Sequence, residues 1–154
     1  MDKIEKELYF CLHAPRQSGK TTCLQALVRQ INSEGKYYAF DCTLDSLRNT
    51  TDPATAMKAI VDQIYLGLAY SGVAELAKLA HAYDDNPFMS SPSGMVRVLL
   101  NSLCMSLDRE LVVFFDEADC LHEDPLVLFL SQVRAGFNDR FKSPGSRFPR
   151  SLAL

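Results

Sequence analysis

The chain has 154 residues, enough for about one domain, and its 47% hydrophobic and 23% charged residues exclude a disordered or fibrous protein. Nineteen acidic residues against sixteen basic ones give a net charge of -3, which argues against a general polyanion binder but leaves room for a local basic patch. The five cysteines are widely spaced and form no C-x-x-C pair, which favours buried thiols over a disulfide framework or a zinc site.

The N-terminal segment MDKIEKELYF alternates charges and lacks the apolar stretch of a signal peptide. The uncharged stretch Gln63 to Ala74 is shorter than the about 20 apolar residues that a membrane helix needs. We therefore expect a cytoplasmic protein that does not enter a membrane.

The first elements along the chain predict a βαβ unit. Leu8 to His13 is a short apolar run that predicts a buried strand. Apolar residues then recur at helical spacing from Lys20 onward: Leu24, Leu27, Val28 and Ile31. Gly35 is typical of a helix end, and the aromatic-rich run Tyr37 to Cys42 predicts a second strand. A strand, a helix and a further strand in this order favour a parallel sheet.

The next segment predicts two helices and then a loop. Thr51-Asp52-Pro53 is typical of a helix start, because a capping side chain precedes a first-turn proline. The predicted buried stripe of this helix consists of Met57, Ile60, Val61, Ile64 and Leu68. Gly72 is expected to interrupt the helix, and the inward residues of a second helical piece are Leu76, Leu79 and Tyr83. Asp84 to Gly94 has the composition of a loop.

The last part of the chain predicts helix, strand and helix. A helix is expected from Ser91 to about Asp108, with Met95, Leu99 and Leu103 facing inward. Leu111 to Phe115 predicts a central strand covered on both faces. Leu126 to Phe137 predicts a further helix, and Phe141 to Pro149 a basic connector. The alternation predicts an α/β domain with a mainly parallel sheet flanked by helices.

The strongest chemical signal is Ala14-Pro15-Arg16-Gln17-Ser18-Gly19-Lys20-Thr21, which fits the phosphate-binding pattern G-x-x-x-x-G-K-[ST] except that Ala14 replaces the first glycine. Gly19 lets the backbone approach a phosphate, whose charge the helix N-terminus favours. Lys20 can reach the β- and γ-phosphates of a nucleotide, and the Thr21 hydroxyl can ligate Mg²⁺. Thr22 offers a further hydroxyl for an inner phosphate. An ordinary turn before a helix is the competing interpretation.

Asp116-Glu117 is the second signal, because it follows the predicted central strand directly. Parallel sheets place ligand chemistry at the carboxyl ends of their strands. We expect Asp116 to hold Mg²⁺, directly or through water, and Glu117 to polarise the attacking water. The alternative is a pair of acids that begins a turn.

Charges are unevenly distributed over the last third of the chain. Acids outnumber bases from Asp108 to Asp124, which suits a metal, whereas bases outnumber acids from Arg134 to Arg150. For the basic segment we favour a solvated loop over a polyanion contact.

The run from Tyr9 to Thr22, taken with Leu111 to Asp119, resembles the AAA-like ATP-binding protein family of bacterial P-loop ATPases. The resemblance implies a three-layer α/β domain that binds and hydrolyses MgATP. By this likeness the Walker A residues are Gly19, Lys20 and Thr21, and the Walker B residues are Asp116 and Glu117. The preference for ATP over GTP follows from the resemblance alone.

The resemblance also implies an incomplete enzyme. In the family, the strand after Walker B carries a polar sensor residue and lies between the two motif strands, and a helical lid and an arginine finger follow. Ser151 to Leu154 is similar to the start of that strand. We therefore expect residues 1–154 to be one truncated P-loop ATPase core with an incomplete sheet and slow turnover.

Other functions stay open or are disfavoured. The rival is a nucleotide-dependent conformational switch or signalling and binding module with little or no hydrolysis. For either function, the expected partners besides the nucleotide are a protein or a second copy of the chain. Asp116-Glu117-Ala118-Asp119 also matches a box of RNA helicases, but the second P-loop glycine and the RNA-contacting motifs of those enzymes are missing. The net charge does not support a nucleic-acid partner, and a small-molecule kinase would need a substrate lid.

Overall fold

The computed structural model describes residues 2–11, 19–80, 91–142 and 145–154. The helices of these ranges are α1 (Asp2–Glu5), α2 (Lys20–Glu34), α3 (Pro53–Tyr70), α4 (Ala74–Ala80), α5 (Met95–Ser106) and α6 (Glu123–Lys142). The strands are β1 (Tyr9–Phe10), β2 (Tyr38–Thr43), β3 (Leu111–Asp116) and β4 (Ser151–Ala153), and 3₁₀ turns cover Asp45–Leu47 and Ala118–Cys120. No helix within the described ranges has both the length and the apolar character that crossing a bilayer requires.

The described strands form one parallel sheet in the order β1-β4-β3-β2. This confirms the predicted parallel sheet. β2 and β3 pair in register from Tyr38 and Leu111 to Thr43 and Asp116. The short strand β4 lies between β1 and β3, which is the position that the resemblance assigns to the strand after the second motif. β1 and β2 therefore belong to one sheet but lie at its opposite edges.

Helices cover both faces of the sheet. Successive β3 side chains point to opposite sides and therefore pack against different helices. Val112 and Phe114 pack with the buried stripe of α2 in the smaller apolar cluster. Val113 and Phe115 belong to the larger cluster, to which α3, α5 and α6 contribute. Every residue of β3 is buried, as expected of a central strand. The chain is thus an α/β structure with helices on both faces of a parallel sheet.

The predicted end of α2 and the predicted start of α3 are confirmed. Gly35 follows α2 with a left-handed φ of 69°, a conformation that costs glycine little. Asp52 caps α3 by accepting the backbone N–H of Thr55 at 2.8 Å, and Pro53 is the first helical residue. All five residues of the predicted α3 stripe are buried. Gly72, with a φ of 72°, follows the end of this helix as predicted.

Other boundaries differ from prediction. β1 is paired only over Tyr9–Phe10, and the predicted continuation to His13 lies outside the described residues. α5 begins at Met95 rather than Ser91, because Ser91 to Gly94 forms a turn in which the Ser91 carbonyl accepts the N–H groups of both Gly94 and Met95. Tyr83 and the first part of the predicted loop, residues 84–90, also lie outside the described ranges.

α6 is longer than predicted at both ends. Pro125 fits its first turn, where a missing N–H costs no helical hydrogen bond. At the other end Phe137 and Phe141 stack edge to face at 5.4 Å, one turn apart. Phe141 and Lys142 are therefore helical and do not belong to a connector.

The basic segment is not simply a solvated loop, because two of its arginines form internal ion pairs. Arg140 and Arg150 both contact the carboxylate of Glu7. Arg150 also donates to Glu110 Oε2 at 2.6 Å and to the backbone carbonyl of Ile4 at 3.1 Å. These contacts connect the N-terminal segment to the chain that leads into β4, so that part of the basic charge stabilises the fold.

Candidate functional site

The start of α2 and the end of β3 meet at the carboxyl edge of the sheet. Lys20 Nζ lies 3.0 Å from Asp116 Oδ1, and Thr21 Oγ1 donates to Asp116 Oδ2 at 2.5 Å. The neighbours Lys20 and Thr21 therefore share the carboxylate of Asp116, which lies 95 positions after Thr21 in the sequence. The structure brings together three of the residues that the sequence assigned to phosphate and metal binding.

Asp116 is almost completely buried, with 3% of its side chain exposed. A buried carboxylate needs partners. Here Oδ1 contacts Lys20 and accepts the backbone N–H of Glu117 at 3.0 Å, and Oδ2 accepts from Thr21. Partial burial of Lys20 would lower the pKa of its ammonium group, but the hydrogen bond and charge of Asp116 outweigh burial and raise that pKa. Lys20 therefore stays a cation whose charge Asp116 balances.

Gly19 is required by its backbone conformation and not by packing. It precedes α2 with a φ of 78°, in the left-handed region, and a Cβ atom placed there would meet nothing within 4 Å. The preceding motif residues, Ala14 to Ser18, lie outside the described part of the chain, so their phosphate contacts stay predictions. Thr22 is exposed on α2, and its role also stays a prediction.

Glu117 follows Asp116 directly, but its carboxylate faces Arg48, which ends the 3₁₀ turn after β2. The φ of Glu117 is 59°, in the left-handed region that non-glycine residues rarely adopt. Glu117 Oε2 lies 3.7 Å from Arg48 Nη2 and 3.9 Å from the thiol of Cys120. The sequence predicted Glu117 as a site residue. Its pairing with Arg48 was not predicted, because Arg48 belongs to neither motif.

Two groups of side chains in the described ranges could hold a cation. Thr21 and Asp116 offer a hydroxyl and a carboxylate oxygen, the hard ligands that Mg²⁺ prefers. The ligand atoms of Asp45, Glu117 and Cys120 lie within 4.8 Å of one another. The second group includes sulfur, a poor ligand for Mg²⁺, and Arg48 already brings positive charge to it. Thr21 and Asp116 therefore fit Mg²⁺ better.

A cavity of about 630 Å³ opens beside this pair, between α2, α3 and the edge strand β2. Thr21 and Asp116 form one part of its wall, and Asp41 and Thr43 of β2 form another. Burial raises the pKa of the Asp41 carboxyl, and the charge of Asp116 acts in the same direction. The volume is in the range of small-molecule sites, about 300–1,000 Å³. Asp41 and Thr43 were not predicted as site residues. The pattern that identified Asp116, a polar residue at the end of an apolar strand, is also present at the end of β2.

Comparison of the chain with protein-family models, with curated proteins and with solved structures finds no match.

Proposed function

We propose that this chain binds MgATP at the start of α2 and hydrolyses it. One observation carries the proposal: Lys20 and Thr21 both contact the buried carboxylate of Asp116. A lysine and a hydroxyl at the N-terminus of a helix, facing an acid at the end of a parallel strand, are the parts from which phosphate and magnesium sites are built. The strand order and the left-handed Gly19 support the same proposal.

Each of the four site residues in the described ranges has a role in this proposal. Lys20 exchanges Asp116 for the β- and γ-phosphates, which its charge and length allow. Thr21 and Asp116 hold Mg²⁺, which when bound neutralises charge that builds up on the phosphates. Glu117 accepts the proton of a water whose oxygen bonds to the γ-phosphorus, while the bond from that phosphorus to the β-phosphate oxygen breaks and ADP leaves.

A nucleotide-dependent switch with little hydrolysis is the second candidate. The observation that favours it is the position of the Glu117 carboxylate, which is paired with Arg48. A carboxylate paired in this way must leave Arg48 before it can accept a proton from a water at the γ-phosphate.

The Glu117→Gln variant separates these functions. Glutamine keeps the size and polarity of the side chain but cannot take the proton, so kcat for phosphate release is expected to fall by at least about 100-fold. The dissociation constant for MgATP should change by less than about threefold, because the phosphate contacts are left intact. Steady-state phosphate release and equilibrium binding measure the two quantities.

Glu75→Gln is the matched control, because Glu75 is an exposed acid of α4. It should leave both values unchanged. A wild-type chain that binds MgATP without releasing phosphate would favour the switch. Turnover that survives in Glu117→Gln would exclude Glu117 as the base.

A further inference from the structure

A second cavity opens at the amino edge of the sheet, where β3 begins, and the proposed function does not use it. Its volume is about 380 Å³, within the range of small-molecule sites, about 300–1,000 Å³. Because β3 spans Leu111–Asp116, about 16 Å of strand separates this edge from the proposed nucleotide site. The wall of this amino-edge cavity includes five charged side chains: Asp108, Arg109, Glu110, Arg140 and Arg147.

Both acids of the wall already have a hydrogen-bond donor. Asp108 Oδ1 accepts the hydroxyl of Tyr38 at 2.9 Å. Glu110 Oε2 accepts from Arg150 Nη1 at 2.6 Å. In the described structure no ion pair joins either acid to an arginine of the wall. The acids therefore leave the arginines of the amino-edge cavity available to a ligand.

The inner part of the wall adds no unpaired negative charge. Arg140 is 12% exposed, and its charge is balanced by Glu7. The other terminal nitrogen of Arg140 donates to the carbonyls of Pro149 and Arg150, so this side chain is fixed in the fold. Burial raises the pKa of the Cys104 thiol to about 12, so the thiol stays neutral at pH 7.

Arg109 and Arg147 are the two arginines with unused donors. The guanidinium of Arg109 lies over the ring of Tyr38, 5.0 Å from its centroid, and none of its N–H groups has a hydrogen-bond acceptor among the described residues. Arg147 Nη1 reaches the Leu107 carbonyl at 3.4 Å, and its other side-chain N–H groups have no acceptor within the same ranges. Both residues are exposed, so a ligand that enters replaces only water.

The backbone that carries Arg147 is held in place by two contacts. Asn101 of α5 donates to the Arg147 carbonyl at 2.6 Å. The next residue, Phe148, is buried against Gly136 of α6, so closely that a Cβ at Gly136 would lie 2.3 Å from the ring. Little backbone order is therefore lost when a ligand binds.

We propose that the amino-edge cavity binds a phosphate group, free or carried by a small molecule, between Arg109 and Arg147. A single guanidinium can satisfy the two oxygens of a carboxylate, whereas two guanidinium groups suit the larger number of acceptor oxygens on a phosphate. Asp108 and Glu110 disfavour a nucleic acid, because they would repel the phosphates that follow the first one along a strand. The site lies at the opposite edge of the sheet from Asp116, so both sites can be filled at once.

Calorimetric titration of Lys20→Ala with inorganic phosphate, and separately with glycerol 2-phosphate, tests the proposal. This background impairs the proposed nucleotide site, where phosphate would otherwise bind as well. We expect saturable binding with a dissociation constant below about 1 mM. Adding Arg109→Gln or Arg147→Gln should weaken it by at least about 10-fold, because each removes charged hydrogen bonds. Circular dichroism shows whether each protein is folded.

Arg134→Gln is the matched control, because it removes the same charge from an exposed position of the same basic segment. It should change the dissociation constant by less than about twofold. Asp108→Asn removes a negative charge from the wall but keeps an oxygen for Tyr38, so binding should tighten by about twofold or more. This variant tests the site even if an arginine variant does not fold.

Tighter binding of glycerol 2-phosphate than of inorganic phosphate would identify the ligand as a phosphorylated small molecule, and the reverse order would identify it as free phosphate. A folded protein that binds neither probe below about 10 mM would overturn the proposal. An equal loss of affinity in Arg134→Gln and Arg147→Gln would also overturn it, because general charge attraction would then explain the binding. Each of these results leaves the proposed function unaffected.

Discussion

The Asp116→Asn variant is expected to lose Mg²⁺-dependent phosphate release by at least about 100-fold while it stays folded. Asparagine has the shape of aspartate, but it carries no charge, and its amide nitrogen cannot accept a hydrogen bond from Lys20 or Thr21. Lys20 contacts Oδ1 of Asp116 and Thr21 contacts Oδ2. In asparagine one of these oxygens becomes the amide nitrogen, so one of the two contacts is lost whichever way the amide is oriented. The proposed metal site loses its only negative ligand among the residues we assign to it.

Asp119→Asn is the control for this variant. It removes the same charge three positions later in the sequence, at an exposed residue of the adjacent 3₁₀ turn. Initial rates of phosphate release over a Mg²⁺ titration, with circular dichroism as the test of folding, compare the two proteins. Rates that differ by only a few-fold between them would remove Asp116 from the proposed site.

The Gly67→Ala variant is expected to lower the free energy of unfolding by about 2–3 kcal/mol. Alanine normally stabilises a helix interior relative to glycine, by about 1 kcal/mol. Here a Cβ would lie 2.5 Å from the carbonyl oxygen of Asp41 and 2.8 Å from the Phe40 ring. Because the closest atom belongs to the backbone of β2, relief requires α3 to move away from the sheet. The same movement would open the wall of the cavity beside Thr21.

Gly94→Ala is the control for packing, since a Cβ at Gly94 would meet nothing within 4 Å. Its free energy of unfolding should stay within about 0.5 kcal/mol of wild type. Urea denaturation of the three proteins gives the comparison. A Gly67→Ala protein more stable than wild type would contradict the close approach of α3 and β2, because helix propensity alone would then decide the outcome.

The elements that could be predicted are those that local sequence determines. α2 and α3 have an apolar stripe at helical spacing, and Gly35 and Asp52 mark an end and a start through backbone conformation and capping. β3 was predicted because burial on both faces requires a continuous apolar run. Lys20, Thr21 and Asp116 were found for a similar reason, since each stands at the end of such an element.

The features that were missed depend on contacts between distant segments. Nothing near Gly67 in the sequence shows that β2 passes within contact distance of it. The pairing of Arg48 with Glu117 follows from the parallel register of β2 and β3 and from two turns after those strands. The ion pairs of Arg140 and Arg150 likewise involve partners near the N-terminus, so composition alone suggested a solvated segment.

Titration of the wild-type chain and of Lys20→Ala with a fluorescent ATP analogue in the presence of Mg²⁺ tests the proposed function most directly. Lys20 forms an ion pair with Asp116 at 3.0 Å, and its loss removes a charge-assisted contact to the phosphates. We predict saturable binding by the wild type that Lys20→Ala weakens by roughly 10- to 100-fold, with circular dichroism showing that both are folded. A folded wild type that does not bind the analogue, or that binds it as tightly as Lys20→Ala does, would contradict the phosphate site at the start of α2.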